Sequence, residues 1–411
     1  VYDAAGRVTT TIFPDGATTS SLYDAGGQVV AATDARGNTT SFEYDAGGRR
    51  TTVIDALGNG PAFVYDERGN RTAVTDARSS TTSFTYDALG RHTTTTHPDG
   101  TTSEFAYDDL GRRVAETDQV GLTTEFRYDA LGRLGSVKDA LAQVTSYTYD
   151  QIGNRLTQTD ANGHTTHFEY DRLGRRIARV LPDGSRESMV YNADGTLASY
   201  TDFNGATRSF EYDAGQRLIR RAYPDGSDVQ LTYTATGQRA TVIDSRGTTS
   251  YTYDARDRLT EKTEPTGYRL SYSYDSQGNR TSLTATVGLQ VFTSTYGYDE
   301  LNRLETVTAA QGGVTAITYD ENGNQASLVF PNSLTTDFTY DQLNRLTDLS
   351  TASGVGNVLQ SYAYTLGAAG NRARVDEHDG TSRHYLYDDL YQLTQDRVTD
   401  ASSVLVYQRD F

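Results

Sequence analysis

The stretch Tyr86-Asp87-Ala88-Leu89-Gly90-Arg91 decides the fold of this 411-residue chain, because close variants of it recur along the whole sequence. Its tyrosine returns every 21 residues from Tyr2 to Tyr233 and at less even spacing after that. A strict period of this length indicates one small structural unit repeated side by side, not a globular enzyme with a unique core. The tyrosines stand at Tyr2, Tyr23, Tyr44, Tyr65, Tyr86, Tyr107, Tyr128, Tyr149, Tyr170, Tyr191, Tyr212, Tyr233, Tyr253, Tyr274, Tyr298, Tyr319, Tyr340, Tyr364 and Tyr387.

Two turns are predicted in each repeat. The first turn follows the tyrosine: Asp87 opens a type I turn, and Gly90 can take the positive φ that closes a tight hairpin. Asn302, Asn344 and Asp257 replace glycine in this slot, which we interpret as a backbone preference, since Asn tolerates positive φ best after Gly. Two turns per repeat leave strands of about six residues. The second turn reads Pro-Asp-Gly or Asp-x-x-Gly, as at Pro14 to Gly16, Asp34 to Gly37, Pro98 to Gly100 and Asp160 to Gly163.

The strand that ends at the tyrosine carries the sharpest burial signal. An apolar residue also stands two positions earlier, as Phe42 does before Tyr44. Residues i and i+2 share a face of a strand, so the sequence predicts two columns of aromatic side chains opposite a face of Thr, Glu and Arg. The intervening strand gives no consistent register, because its apolar residues change parity between repeats, as Val8 and Val53 illustrate. No window shows a sustained 3.6-residue period, so we predict an all-β protein with essentially no helix.

We predict a single repeat array over residues 1–411, with regular 21-residue repeats over 1–252 and less regular ones over 253–411. Extra residues at Thr286 to Thr295 and at Ser353 to Asn357 predict protruding loops or changes of curvature. We assign Tyr364-Thr365 to the Tyr-Asp slot of its repeat. Because the chain begins inside a repeat, we expect it to be a segment of a longer protein whose targeting signal lies elsewhere.

Composition narrows the function. The net charge is −17, whereas nucleic-acid binders usually carry a basic field. Of the 37 basic residues, two are lysines (Lys138 and Lys262) and the other 35 are arginines. Arginine pairs with carboxylates and stacks on aromatic rings, so we predict a structural role for it beside Asp and Tyr. The absence of cysteine excludes disulfides and thiolate metal sites, and no stretch offers the ~20 apolar residues of a membrane span.

No pattern predicts a catalytic residue, a cofactor site or a metal site. His164 and His167 would point to opposite faces of a strand. Asp160 and Asp202 are explained as turn formers, since a calcium loop needs a longer ordered set of oxygen ligands. A catalytic pair needs an exceptional environment, and here every repeat resembles the last. We therefore expect no enzymatic activity. The histidines are His92, His97, His164, His167, His378 and His384.

The unit Tyr-Asp-x-x-Gly-Arg, as it stands at Tyr86–Arg91, Tyr107–Arg112 and Tyr128–Arg133, resembles that of the YD or Rhs repeat family over the whole chain. The resemblance implies a long antiparallel β strip wound as a spiral into a hollow shell. In bacterial Rhs toxins and the shell subunits of insecticidal toxin complexes, such a shell encloses a toxic C-terminal domain. In teneurins a similar barrel serves cell-surface adhesion. The Asp-Pro-x-Gly type motif that ends the shell of toxin-bearing members is absent, so no cleavage residues are carried over.

Three hypotheses follow. The first is a structural shell segment of a secreted toxin, which encloses a cargo or effector polypeptide. The alternative is an adhesion module at the cell surface that binds protein or glycan and exposes aromatic residues near Thr286–Thr295 or Ser353–Asn357. The third is self-association through the unpaired edges of terminal strands. The expected location is secreted or at the cell surface, without nucleic acid as a partner.

Overall fold

The computed structural model describes all residues, Val1–Phe411, as strands and turns, without any helix. The strands form one sheet of 38 strands. They pair antiparallel with their neighbours in the sequence, as β3 does with β2 and β4. The predicted all-β fold of repeated antiparallel hairpins is therefore confirmed. No helix is long and apolar enough to cross a membrane.

The strands run as follows: β1 (Thr10–Ile12), β2 (Thr18–Tyr23), β3 (Val29–Thr33), β4 (Thr39–Tyr44), β5 (Arg50–Ile54), β6 (Ala62–Tyr65), β7 (Arg71–Thr75), β8 (Thr81–Tyr86), β9 (His92–Thr96), β10 (Thr102–Tyr107), β11 (Arg113–Thr117), β12 (Thr123–Tyr128), β13 (Leu134–Lys138), β14 (Val144–Tyr149), β15 (Arg155–Thr159), β16 (Thr165–Tyr170), β17 (Arg176–Val180), β18 (Arg186–Tyr191), β19 (Leu197–Thr201), β20 (Thr207–Tyr212), β21 (Leu218–Ala222), β22 (Asp228–Tyr233), β23 (Arg239–Asp244), β24 (Gly247–Tyr253), β25 (Leu259–Thr263), β26 (Arg269–Tyr274), β27 (Arg280–Val287), β28 (Gln290–Tyr298), β29 (Leu304–Thr308), β30 (Val314–Tyr319), β31 (Gln325–Val329), β32 (Thr335–Tyr340), β33 (Leu346–Ala352), β34 (Val358–Leu366), β35 (Arg372–Glu377), β36 (Ser382–Tyr387), β37 (Leu393–Thr399) and β38 (Leu405–Asp410).

A β-bulge beside the tyrosine sets the register of each hairpin. Phe42 of β4 faces Val53 of β5, but Tyr44 faces Arg50, so Thr51 is an extra residue on the second strand. The bulge places residues 50 and 53 on one face although they are three apart. The same shift recurs at the tyrosines of β8, β14, β20 and β30, among others.

The bulge explains why the apolar residues of the intervening strand change parity between repeats. Val8 faces Tyr2, and Val53 faces Phe42, so both valines lie on the aromatic face despite their different parity. An apolar residue can stand opposite either aromatic column, and the sequence alone does not show that an extra residue separates the two positions.

The two insertions lengthen strands rather than forming irregular loops. β27 and β28 run up to a tight turn at Gly288-Leu289, and β33 pairs with β34 up to the turn at Ser353–Asn357. The assignment of Tyr364-Thr365 to the Tyr-Asp slot was wrong. The bulge falls between Thr365 and Leu366, and the first turn is closed by the Gly370 N–H donating to the Gly367 carbonyl. Leu366 therefore takes the tyrosine slot, because the glycines needed for the turn follow it.

The sheet has little buried apolar core. The buried hydrophobic residues are Phe168, Ala178 and Val375, and most side chains of the aromatic face are half-buried. Hydrophobic stabilisation scales with the apolar area removed from water, so contacts between neighbouring hairpins must contribute a large share of the stability.

The chain divides into two compact units. Unit 1 comprises Val1–Thr123, Ser273–Leu283 and Phe292–Phe411, and unit 2 comprises Thr124–Tyr272 and Thr284–Val291. This division follows spatial contacts rather than repeat spacing, so the single array over 1–411, with its change of regularity after residue 252, stays a prediction.

Candidate functional site

The first turn of each repeat is stabilised by its own aspartate. Asp45 Oδ1 accepts hydrogen bonds from the backbone N–H groups of Gly47 and Arg49, each at 2.9 Å, and Oδ2 accepts one from Arg49 Nε at 2.7 Å. Hydrogen bonds from the Arg49 side chain and then its backbone hold the pKa of Asp45 below its usual range. The same aspartate–arginine pair occurs at Asp3, Asp87, Asp108, Asp129, Asp171, Asp213, Asp254, Asp299 and Asp341.

The arginine of this pair also binds the next hairpin. Arg49 Nη1 donates to the Asp66 carbonyl at 2.7 Å, and its guanidinium lies 5.0 Å from the centre of the Tyr65 ring. The Tyr65 hydroxyl in turn donates to the Arg50 carbonyl at 2.8 Å. The motif therefore joins successive repeats as well as closing a turn. Arginine lies over the next tyrosine in the same way at Arg7/Tyr23, Arg91/Tyr107, Arg133/Tyr149, Arg175/Tyr191, Arg217/Tyr233 and Arg303/Tyr319.

A second set of arginines lies among the other aromatic column. The Arg71 guanidinium is 5.8 Å from the Phe63 ring and 5.5 Å from the Phe84 ring, which belong to neighbouring hairpins. His92 takes this slot between Phe84, at 5.5 Å, and Phe105, at 4.9 Å. Arginine side chains, and His92 in one repeat, thus lie between the rings of the two predicted aromatic columns, and these contacts support the predicted structural role of arginine.

One buried carboxylate was not anticipated from the sequence. Glu187, only 4% exposed, lies 2.9 Å from Arg179 Nε and 3.7 Å from Arg176 Nη2 and accepts a 2.8 Å hydrogen bond from the Tyr200 hydroxyl. That hydrogen bond raises the pKa of Tyr200. A carboxylate shared by two arginines and a phenol suits structural pairing better than proton transfer. The signal in the sequence was a glutamate two residues before Met189, in a strand position that faces the aromatic side.

The carboxylates of the turn aspartates that were considered for calcium accept hydrogen bonds within their own turns. Asp160 Oδ1 accepts from the backbone of Asn162 at 3.0 Å and of His164 at 2.8 Å, and the His164 ring lies 3.3 Å from Oδ2. Asp202 Oδ1 accepts from Asn204 and Ala206 in the same way. The structure contains no group of three or more His, Asp or Glu residues placed to hold a metal ion.

Within unit 1, second turns of early hairpins lie against first turns of late hairpins; we call this contact the turn seam. Arg36 provides its central contact. Its Nη2 donates to the Tyr298 carbonyl at 2.8 Å, and its Nη1 donates to the Asp299 carbonyl at 2.6 Å and to Asn302 Oδ1 at 3.1 Å. These partners are more than 260 residues away in the sequence.

The turn that carries Arg36 lies across two neighbouring first turns. Asn302 Nδ2 donates to Asp34 Oδ2 at 2.9 Å on one side. On the other side the Ala35 N–H donates to Gln277 Oε1 at 2.9 Å, and Ser276 Oγ donates to the Ala35 carbonyl at 2.7 Å. Both backbone and side-chain groups thus form hydrogen bonds across the turn seam.

The next Asp-x-Arg turn repeats the arrangement. Arg78 Nη2 donates to the Tyr340 carbonyl at 2.9 Å, its Nη1 lies 3.4 Å from Asn344 Oδ1, and Asn322 Nδ2 donates to Asp76 Oδ2 at 2.6 Å. Arg36 and Arg78 are 42 residues apart, as are Asn302 and Asn344. The turn seam therefore has a period of two repeats.

The side chains in the glycine slot of the first turn contribute to this seam. Asn302, Asn344 and Tyr391 stand there with φ of 62°, 59° and 59°. The Tyr391 hydroxyl donates to Asp118 Oδ2, and burial together with this hydrogen bond raises the pKa of Tyr391. Backbone preference alone, the interpretation drawn from the sequence, is therefore incomplete: these residues also make the cross-seam contacts. The alternating repeats keep glycine, at Gly278, Gly323 and Gly370.

Comparison with solved structures finds the same fold. The crystal structure of TcdB2-TccC3-TEV matches with a TM-score of 0.67 at 15% identity over 96% of this chain and 28% of that chain. The crystal structure of TcdB2-TccC3-Cdc42 matches with a TM-score of 0.67 at 16% identity over 98% of this chain and 27% of that chain. The chain thus spans less than a third of each of these two solved chains, and at these identities the likeness concerns the fold alone.

Comparison with curated protein sequences finds no significant match. The RHS repeat family matches at residues 2–39, 23–59, 65–102, 107–144, 149–186, 191–228, 233–269, 253–290 and 319–355, which together cover well over half of the chain. The matched segments contain most of the Tyr-Asp turns described above, and the predicted resemblance is confirmed. This chain belongs to the RHS repeat family.

Proposed function

We propose that this chain is a structural shell segment of a secreted RHS-repeat toxin and that the shell encloses and protects a cargo or effector polypeptide. The observation that carries the proposal is the likeness in fold, over 96% of the chain, to TcdB2-TccC3-TEV. The crystallised assemblies of this fold include TcdB2-TccC3-Cdc42, so a polypeptide is the class of cargo that we propose.

The chemistry of the repeat supports a structural role. Its recurring Asp, Arg and Tyr side chains are engaged in closing turns and joining hairpins, as at Asp45, Arg49 and Tyr65. A shell built from these contacts needs no cofactor and no catalytic residue. In this proposal, enzymatic activity belongs to the cargo.

Protease protection tests the enclosure. The protein encoded by the complete reading frame is digested under native conditions, and its fragments are followed by mass spectrometry. We expect any enclosed polypeptide to survive in the wild type and to be cut faster in the double variant Arg36→Ala/Arg78→Ala, which weakens the turn seam. The control is Arg127→Ala, whose side chain is 76% exposed and lies outside the seam. Equal cutting of the cargo in the wild-type shell and in isolation would refute enclosure.

One observation favours the alternative of a surface-binding module. The lengthened hairpins end in exposed apolar residues: Leu289 is 103% exposed, Val355 is 84% exposed and Leu359 is 55% exposed. The expected exposed aromatic is present at the first of these places as Phe292, which is 42% exposed. Exposed apolar residues grouped at a tip are typical of contact surfaces.

Cell and glycan binding by the purified chain tests this alternative. If the tips bind, Val355→Asp should reduce binding, whereas Val190→Asp, which changes the same residue type at a 57% exposed position on a strand, should leave binding unchanged. Absence of binding to cells and to a glycan array would exclude the adhesion function and leave the shell proposal untouched.

A further inference from the structure

The second turns of three consecutive hairpins in unit 1 lack the charge that this turn carries elsewhere. Each second turn from that of Asp15 to that of Glu264 contains an acidic residue, and the later ones at Glu377 and Asp400 do so again. The turn at Gly288-Leu289, which belongs to unit 2, is also uncharged. We give the name neutral edge to the three uncharged second turns of unit 1, at residues 309–312, 330–333 and 353–356.

The three turns of the neutral edge lie side by side. A Cβ atom at Gly313, next to the first turn, would lie 2.8 Å from Pro331 Cγ, and one at Gly354 would lie 3.1 Å from Ser333 Cβ. Successive turns are therefore in direct contact, and a larger residue at either glycine would push them apart. The neutral edge is thus one continuous surface rather than three separate tips.

Aliphatic side chains are exposed along this edge. Val314 and Val329, beside the first two turns, are 46% and 40% exposed, and Val355 in the third turn is 84% exposed. Val358 and Leu359, which follow the third turn, are 41% and 55% exposed. An exposed row of apolar side chains is typical of a contact surface.

The sequence around these turns is free of charge over unusual lengths. Residues 306–319, 322–336 and 349–371 contain no Asp, Glu, Lys, Arg or His, although charged residues make up 22% of the chain. A protein partner can pair with charges at the polar rim of an interface, whereas the apolar part of a bilayer cannot. Depletion of charge on this scale therefore favours a lipid surface over a protein as the partner.

The backbone of each turn forms internal hydrogen bonds. The Ser353 N–H donates to the Asn357 carbonyl at 2.8 Å, and the Gly356 N–H donates to the Ser353 carbonyl at 2.7 Å. The turns at 309–312 and 330–333 are closed in the same way. Unpaired backbone groups are costly where water is scarce, so closed turns are suited to partial removal from water. A side chain that protrudes as far as Val355 enters a fluid bilayer without a matching cavity, which a protein partner would have to supply.

We propose that the neutral edge is a docking surface for an uncharged lipid bilayer, into which Val314, Val329 and Val355 insert at the level of the headgroups and upper acyl chains. The net charge of −17 opposes adsorption to anionic lipid, so zwitterionic phosphatidylcholine is the surface that fits. The proposal rests on the surface-binding alternative given above, for which it names the partner. It does not depend on enclosure of a cargo.

Cosedimentation of the purified chain with phosphatidylcholine vesicles tests the proposal. We expect the bound fraction to rise with lipid concentration and Val314→Asp/Val329→Asp/Val355→Asp to bind at least about tenfold more weakly. The control Val8→Asp/Val64→Asp/Val190→Asp introduces the same charges at valines of other hairpins that are 41%, 56% and 57% exposed, and it should bind as the wild type does. Circular dichroism identical to that of the wild type shows that both variants are folded.

A fluorescent reporter locates the contact without adding charge. The chain contains no tryptophan, so Val355→Trp and Val190→Trp each introduce a single emitter. Vesicles should shift the emission of Val355→Trp to shorter wavelength and leave that of Val190→Trp unchanged.

A wild type that does not sediment with phosphatidylcholine vesicles would overturn the proposal; if it still binds cells or a glycan array, the surface-binding alternative itself stands. Equal loss of binding in both triple variants, or an unshifted emission of Val355→Trp, would overturn it as well. Two results would overturn it by naming another cause. Binding that requires phosphatidylserine would assign the attraction to arginines, and self-association that the edge triple abolishes, without vesicle binding, would assign the edge to a second copy.

Discussion

Replacing Arg36 with alanine tests whether the turn seam stabilises unit 1. The substitution removes the hydrogen bonds to the Tyr298 and Asp299 carbonyls and to Asn302 Oδ1. Each such bond contributes roughly 1 kcal/mol, and water can partly replace them because the side chain is 27% exposed. We expect the seam to open more easily by about 2 kcal/mol, which corresponds to roughly thirtyfold faster hydrogen exchange through local opening.

The assay is amide hydrogen exchange on the full chain, read by mass spectrometry. The most informative amide is that of Ala35, which donates to Gln277 across the seam. Peptides covering residues 33–38 should exchange faster in Arg36→Ala, whereas the first turn at Asp45 to Arg49, which is held by its own repeat, should not change. Arg127→Ala is the matched control.

A double-mutant cycle with Asn302→Gly tests whether the hydrogen bonds across the turn seam stabilise unit 1. In the wild type this change removes the bonds that Asn302 forms with Arg36, Asp34 and Asn279 and relieves about 1 kcal/mol of positive-φ strain, so the net effect is a loss of roughly 2 kcal/mol and faster exchange. In an Asp34→Ala/Arg36→Ala background the strain relief remains together with loss of the bond from Asn279, so the two effects nearly cancel and Asn302→Gly should leave exchange in its own hairpin almost unchanged. The same effect of Asn302→Gly in both backgrounds, or unchanged exchange at Ala35 in Arg36→Ala, would show that the cross-seam bonds do not stabilise the unit.

Three further predictions concern the repeat and the seam. Asp108→Ala should speed exchange of the turn that it closes several-fold, while its exposed neighbour Asp109→Ala should have no effect; equal effects would show that the carboxylate does not hold the turn. The pKa values of Asp45, Asp87 and Asp129 are lowered in the folded chain, so the contribution of these aspartates to stability is complete above the unfolded pKa near 3.9 and is lost as pH falls through the folded value. Circular dichroism should therefore show acid unfolding below about pH 4, and unchanged stability there would contradict the role of these pairs. In this cysteine-free chain, Ala35→Cys/Ser276→Cys should form a disulfide on mild oxidation and, by closing a loop of 241 residues, stabilise unit 1 by up to about 5 kcal/mol; failure to crosslink would place the two turns apart.

Local features of the fold were predictable from the sequence. The Asp at the start and the Gly at the end of Asp87 to Gly90 specify the turn through their own chemistry, and the alternation before Tyr86 specifies a strand. The bulge was not predictable, because the extra residue, Thr51 in one hairpin, has no distinctive side chain. At Tyr364 the recurring tyrosine was misleading, since the backbone requirement of the turn at Gly367–Gly370 decides where the strand ends.

The turn seam could be predicted only in part. Its partners, such as Arg36 and Asn302, are separated by 266 residues, and each looks like an ordinary turn residue in its own repeat. The exceptions in the glycine slot were the available signal. They were visible in the sequence, but their contacts depend on which second turn lies opposite, and a repeat period does not specify that. The Glu187 cluster was missed for the same reason, since its arginines and Tyr200 meet only once the hairpins are paired.

The two-repeat period of the turn seam limits how such a gene can change length. Duplication or loss of a single 21-residue repeat between Arg78 and Ser273 would bring Arg36 opposite a turn with glycine, such as that of Gly323, and would leave Asn302 without its partner. Duplication or loss of 42 residues would restore an asparagine opposite one of the two Asp-x-Arg turns and place Asp257 or Tyr391, also non-glycine residues, opposite the other. Unequal recombination, which readily adds or removes tandem repeats, should therefore be tolerated in this part of the gene mainly in pairs of repeats.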